Sequence, residues 1–250
     1  MSRSRKTTWD QSPIGGSGRA TLFRAMAATS FLLVVMLTNP VAAWDLVAID
    51  VLLQPDQTML EAAQGWNARL REQTPEGFAL DAAHSPHITL LQTYVAENEL
   101  AAVLVAVQRS AAEIDVAELR MEAVGLYHIR SGEVGLAGIV IEPTAALLDV
   151  QKAMIEALAP YRRRGGCQAA FVPDPTGMPF DPFLFEYVDS FVPKQSGENF
   201  NPHVSTGVGP LAWLAAREAE PFARFSFGAA GIAVYRLGNF GSAAVQLAEF

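Results

Sequence analysis

Two short stretches, SPHITL at 85–90 and NPHVST at 201–206, each set a histidine after a proline and a hydroxyl side chain two residues further on. Side chains alternate faces along a β-strand, so His87 and Thr89 share one face while Ile88 and Leu90 pack the other. His203 and Ser205 are paired in the same way, with Val204 opposite them. Two imidazoles and two hydroxyls suit phosphodiester chemistry without a metal or other cofactor. An imidazole with a reference pKa of about 6.5 is neutral or protonated near working pH, so one ring can take a proton from water while the other supplies one to a departing alkoxide. The hydroxyls can hold the non-bridging phosphate oxygens in line and favour the charge of the transition state. Arg236 and Lys194 are further candidate phosphate contacts, since an arginine fork matches phosphate oxygens. Tyr127 is a candidate cleft residue, although alternation lets only one of Tyr127 and His128, and one of Tyr235 and Arg236, face the same side. His84 and Asp81 offer a metal only a weak HxxH-type start, with no assured third ligand.

The elements that must carry these residues are legible in the apolar spacing. LVAIDVLL from residue 46 reads as a strand, followed by a helix with Leu60, Trp66 and Leu70 on one face. HITLLQTYV at 87–95 is a strand, and a helix starts near Glu97. AELRMEAVGLYHI and VGLAGIVIE form a hairpin through Ser131 and Gly132, and residues 144–161 form a helix capped by Thr144. The second half repeats strand, helix and hairpin, with GLYHI echoed by AVYRL, so that Tyr127 answers Tyr235. The expected fold is therefore α+β and bilobal: a duplicated arrangement of two antiparallel-sheet lobes with outer helices around a central cleft. Between the halves, residues 165–200 are rich in proline, glycine and aromatics and read as an insertion over or beside the cleft, with FLFEYVDSFV as a possible strand. Phe180, Phe183, Phe185, Tyr187 and Phe191 either stack on a base or build the insertion's own core. Arg162, Arg163 and Arg164 suit a solvated helix C-terminus better than an RNA patch.

The chain carries a net charge of −8, and the first 43 residues hold five bases against one acid. The remainder is strongly acidic and would repel a long polyphosphate, so a small phosphorylated ligand or short oligonucleotide is the expected partner and long nucleic acid is not. The basic start, the apolar run at 25–37 and the small residues Val41 and Ala43 have the order of a secretory signal cleaved after Ala43, with an uncleaved anchor as the rival reading. Export to the periplasm or beyond follows, with residues 44–250 as one bilobal, monomeric domain off the membrane. The single cysteine, Cys167, excludes an internal disulfide.

His-x-Thr/Ser motifs with an apolar residue between, one per lobe of a duplicated α+β fold, resemble those of the two-histidine (2H) phosphoesterase superfamily. That superfamily includes the bacterial 2′-5′ RNA ligase-like proteins and the cyclic nucleotide phosphodiesterases. The resemblance spans roughly residues 46–250, and VPKQSGENFNPHVS is similar to the approach to the second motif in bacterial members. It implies that His87 and His203 are the catalytic pair and that Thr89 and Ser205 bind phosphate, with the base and acid roles open between the two histidines. It also implies a cyclic phosphate or a 2′-5′ or 2′,3′-cyclic nucleotide as substrate, with hydrolysis and ligation both open. A non-catalytic exported binder of a small phosphorylated ligand is the alternative. Thr206 stands where the family usually has an apolar residue, a change expected only to loosen packing.

Overall fold

The structure, a computed structural model, describes residues 45–81 and 84–250. The signal reading of residues 1–43 lies outside the described residues. Among the described residues no helix is long and apolar enough to cross a membrane.

The chain runs β1 (Leu46–Pro55), α1 (Gln57–Gln73), β2 (Ile88–Ala96), α2 (Leu100–Ala111), β3 (Arg120–Ser131), β4 (Val134–Ile141) and α3 (Ala145–Leu158). It continues through α4 (Pro182–Gln195), β5 (His203–Pro210), α5 (Leu211–Glu218), β6 (Phe225–Leu237) and β7 (Ala243–Glu249). Side-chain caps start α3 at Thr144, as the sequence suggests, and also α1 at Asp56. Thr144 accepts from Leu147 N to start α3, and Asp56 accepts from Thr58 N and Met59 N to start α1. Asp56 also accepts from Gly228 N at 2.6 Å, which fastens the start of α1 to β6.

The sheet is antiparallel and ordered β2-β1-β6-β3-β4-β5, with β7 beside β6. This α+β arrangement has two lobes joined by one long strand. Phe225–Gly228 of β6 pair with β3, whereas Ala229–Arg236 pair with β1. The order reads the same from either end, and the two histidine strands, β2 and β5, are the outermost. The register makes the duplication explicit. Leu52 opposes Thr89 and Val51 opposes Leu91, leaving Leu90 as the extra residue of a bulge. Gly138 opposes Ser205 and Ala137 opposes Gly207, leaving Thr206 in the same place. The repeat is therefore β1-α1-β2-α2-β3 against β4-α3-β5-α5-β6, and not the strand, helix and hairpin frame expected. One consequence concerns the tyrosines. Tyr127 opposes Gly138, and the residue opposite the matching Leu52 is Ala233. Tyr235 is thus two residues out of step with Tyr127, because the echo between GLYHI and AVYRL is one of composition and not of register.

One face of β1 (Val47, Ile49, Val51, Leu53) enters the main core, which is shared with the helices. The other face carries Leu46 and Ala48, which pack against Phe171, Phe180, Leu184 and Val188 of the 165–200 insertion. FLFEYVDSFV is helix, not strand. Asp181 caps α4 by accepting from Phe183 N, Pro182 occupies its first turn, and Leu184, Val188 and Phe191 fall on one buried side. Burying three such side chains, at about 1.5–3 kcal/mol each, outweighs the poor helix propensity of the aromatics and the lost hydrogen bond at Pro193 in the last turn.

Candidate active site

Alternation on β2 and β5 is as expected. Ile88 and Val204 are wholly buried, while His87, Thr89, His203 and Ser205 lie on the other, partly open face. Both imidazoles are held identically. His87 Nδ1 lies 2.8 Å from Ser85 O, and His203 Nδ1 lies 2.8 Å from Asn201 O. A carbonyl oxygen only accepts, so Nδ1–H donates in each ring and Nε2 is the nitrogen left for chemistry. The charge of His87 disfavours protonation of His203. Burial is the larger cause, and together they hold His203 below the usual imidazole range, against the pull of the Asn201 carbonyl.

Asp50, in the middle of β1, completes the His87 side. Its Oδ2 accepts from Thr89 Oγ1 and Gln92 Nε2, each at 2.9 Å, and lies 3.8 Å from His87 Nε2. The carboxyl is wholly buried. Burial raises its pKa above the ordinary carboxylate value, opposed by His87, Gln92 and Thr89. Sequence reasoning missed Asp50 and Gln92. The available signal was a lone acid inside LVAIDVLL, which an apolar strand tolerates only when paired.

Tyr127 completes the His203 side. Its ring meets that of His203 edge-on at a centroid distance of 4.9 Å. It lies over Gly138, where a Cβ would overlap it. His128 turns the other way, to Glu218 of α5 at 2.5 Å, so of this pair it is Tyr127 that faces the cleft. The Tyr127 hydroxyl is buried and, among the described residues, has no acceptor. Burial pushes the phenol well above its usual range, with the neighbouring Ser205 hydroxyl acting in the opposite sense. On Tyr187 of α4, whose ring meets Phe191 edge-on at 5.8 Å, burial and then the charge of Asp50 push the pKa up to about 12. Gly138→Ala should force the Tyr127 ring off its seat and destabilise the fold by about 1–3 kcal/mol. A lowered urea midpoint with an unchanged m-value checks this.

The other expected contacts are not brought to this pair. Asp50 faces His87 and opposes Tyr235 in the register, so Tyr235 shares its side of the sheet. Arg236 instead donates from Nε to Ala170 O and from Nη2 to Ala169 O, each at 3.3 Å, and so secures the start of the insertion. Lys194 lies at the end of α4 with its Nζ 3.1 Å from Glu186 Oε1, both side chains largely exposed. His84 stacks on Phe78 at 4.9 Å, with Nδ1 3.6 Å from Asp81 Oδ1. Phe180 and Phe185 pack with Phe171 in the insertion's own core, whereas Phe183 is exposed. Thr206 does not loosen its strand: its hydroxyl donates to Ala137 O at 3.2 Å, inside the bulge.

The fold is that of the two-histidine phosphoesterases. A family model described as the 2′-5′ RNA ligase superfamily matches residues 59–239, and the chain belongs to that superfamily. Phosphoesterase- or ligase-type activity is the chemistry that goes with it. The structure is similar to TT0787 of Thermus thermophilus, at 16% identity and a TM-score of 0.48, covering 82% of this chain and 97% of that one. It is also similar to Usb1 of Kluyveromyces marxianus at 11% identity and a TM-score of 0.41, covering 82% and 98%. For the same Usb1 with uridine monophosphate the values are 12% identity, a TM-score of 0.42 and coverage of 82% and 99%. No curated protein matches the chain.

Proposed function

We propose that this protein hydrolyses a cyclic phosphate or a 2′-5′ or 2′,3′-cyclic nucleotide-type phosphodiester by acid–base catalysis between His203 and His87. The observation that carries the reading is the matched pair of imidazoles, each committed through Nδ1 to a carbonyl, which leaves two Nε2 atoms for one substrate. The asymmetry around them supports an assignment of roles. His203, its pKa lowered by burial, has no carboxylate partner among the described residues, so its Nε2 is the one assigned to take the proton from water. The water oxygen bonds to phosphorus as the bond to the leaving ribose oxygen breaks. His87, with the Asp50 carboxyl 3.8 Å from Nε2, holds the proton that this oxygen receives. Ser205, Thr89 and the unpaired Tyr127 hydroxyl are the donors a phosphate oxygen would satisfy.

The test is turnover of 2′,3′-cyclic nucleotides and 2′-5′ dinucleotides by the purified full chain, with and without a chelator. Hydrolysis that survives the chelator is the expected result. Binding without turnover of any of them would overturn the catalytic reading in favour of a binding protein, and loss of activity with the chelator would favour a metal site.

A further inference from the structure

Two buried amides hold the halves of the site together, and they do so crosswise. α1 follows β1 but packs on β5, and α3 follows β4 but packs on β2, so each helix lies on the histidine strand of the other lobe. A bulged outer strand leaves the carbonyl of its extra residue without a ladder partner. In both lobes a side-chain amide supplies the missing donor. Asn67 of α1, only 6% exposed, donates from Nδ2 to Thr206 O at 2.9 Å, the bulge of the His203 strand. Gln151 of α3, 1% exposed, donates from Nε2 to Leu90 O at 3.2 Å, the bulge of the His87 strand.

Each amide uses its remaining capacity on the loop that feeds the opposite histidine. Asn67 donates to Phe78 O at 2.9 Å and accepts from Leu80 N at 3.2 Å, in the segment leading to His87. Gln151 donates to Gln195 O at 3.0 Å and accepts from Gly197 N at 3.3 Å, in the segment leading to His203. Gly207, at φ +145°, lets Asn67 approach: a Cβ there would stand 3.1 Å from Asn67 Nδ2. Each amide thus has both donors and its acceptor engaged, and each ties one bulge to the other motif's loop.

We propose that Asn67 and Gln151 are positioning residues that lock the His87 and His203 half-sites to one another, so that neither imidazole shifts without the other. A local brace would bind the loop and bulge of one motif; this pattern binds the loop of one to the bulge of the other. The proposal deepens the phosphoesterase reading, for an in-line displacement needs both Nε2 atoms placed on one phosphorus, and a misplacement of about 1 Å costs on the order of 10²-fold in rate.

The experiment compares Asn67→Leu and Gln151→Met with the unaltered full chain. Both substitutions keep the size and remove the donors. The readouts are the NMR signals of the His87 and His203 imidazole Cε1–H groups, and kcat and KM on whichever probe of the screen is turned over. Each single variant is expected to move both imidazole signals and to lower kcat about 10- to 100-fold, with KM within about threefold. A folded variant in which either imidazole keeps its original signal overturns the proposal, as does an unchanged kcat. If a variant does not fold, Gln151→Asn and Asn67→Ser, which keep a polar group of shorter reach, are read by the same criteria. The NMR arm needs no substrate, so the absence of any turnover would count against the phosphoesterase reading while the coupling of the half-sites is still decided.

Discussion

His87→Ala and His203→Ala should each lower kcat by about 10²- to 10⁴-fold, the range for a positioned general acid or base, while the fold persists. Neither ring carries the core, since Ile88 and Val204 on the reverse of the same strands do that. The double variant should cost little more than the worse single one, because groups that act on one displacement as a unit are not additive. The pH profile of kcat/KM discriminates further. His203 is held below the usual imidazole range by burial and by His87, and a base must be unprotonated to act. The acidic limb should therefore lie below about pH 6.5, with activity kept above it and lost as pH falls through the His203 pKa. His203→Ala should remove that limb from whatever activity remains. Turnover within threefold of the original in either variant, or an acidic limb well above pH 6.5, would defeat the assignment.

Asp50→Asn should separate stability from activity. A buried carboxyl whose pKa is raised in the folded state from 3.8 opposes folding once it ionises. Its contribution to stability is full below the unfolded value and is lost as pH rises through the folded one. The neutral amide escapes that loss, so the variant should melt at or above the original temperature at neutral pH, with the difference vanishing in acid. Turnover should move the other way. The carboxyl, 3.8 Å from His87 Nε2 and bonded to Thr89, positions the groups around the proton donor. A misplacement of about 1 Å costs on the order of 10²-fold, so kcat should fall about 10- to 100-fold. Melting curves at two pH values and kcat at neutral pH check both halves. Unchanged kcat would remove Asp50 from the proton path, and a large fall in melting temperature would mean that its hydrogen bonds to Thr89 and Gln92 outweigh its burial.

The site shows why such a trade is tolerated. Asp50 Oδ1 and the Tyr127 hydroxyl are both buried without a hydrogen-bond partner among the described residues, a cost that a core chosen for stability alone would avoid. They flank the two imidazoles, Asp50 beside His87 and Tyr127 beside His203, where a substrate phosphate would give the phenol a partner under the proposed function. The insertion builds a core of its own against β1 and β2, while Tyr187 of α4 packs towards the main core.

The His-x-hydroxyl pairs, their shared face and the duplicated α+β plan were readable from the chain because strand alternation depends only on backbone geometry, whatever surrounds it. Helix caps such as Thr144 were readable for the same local reason. The helix at Pro182–Gln195 was not, since its aromatics carry strand-like propensity and only the burial of Leu184, Val188 and Phe191 selects the helix. Nor were the Asp50 partnership, the fate of the Arg236 and Lys194 charges, or the crossing of Asn67 and Gln151 between lobes. Each of these depends on which strand lies beside which, and on a bulge that shifts the register by one residue. Residue types and short spacings decided what chemistry the chain carries. Only the folded sheet, which brings β2 and β5 to face one cleft from its opposite ends, decided which groups assist that chemistry, because hydrogen bonds and burial act between neighbours in space.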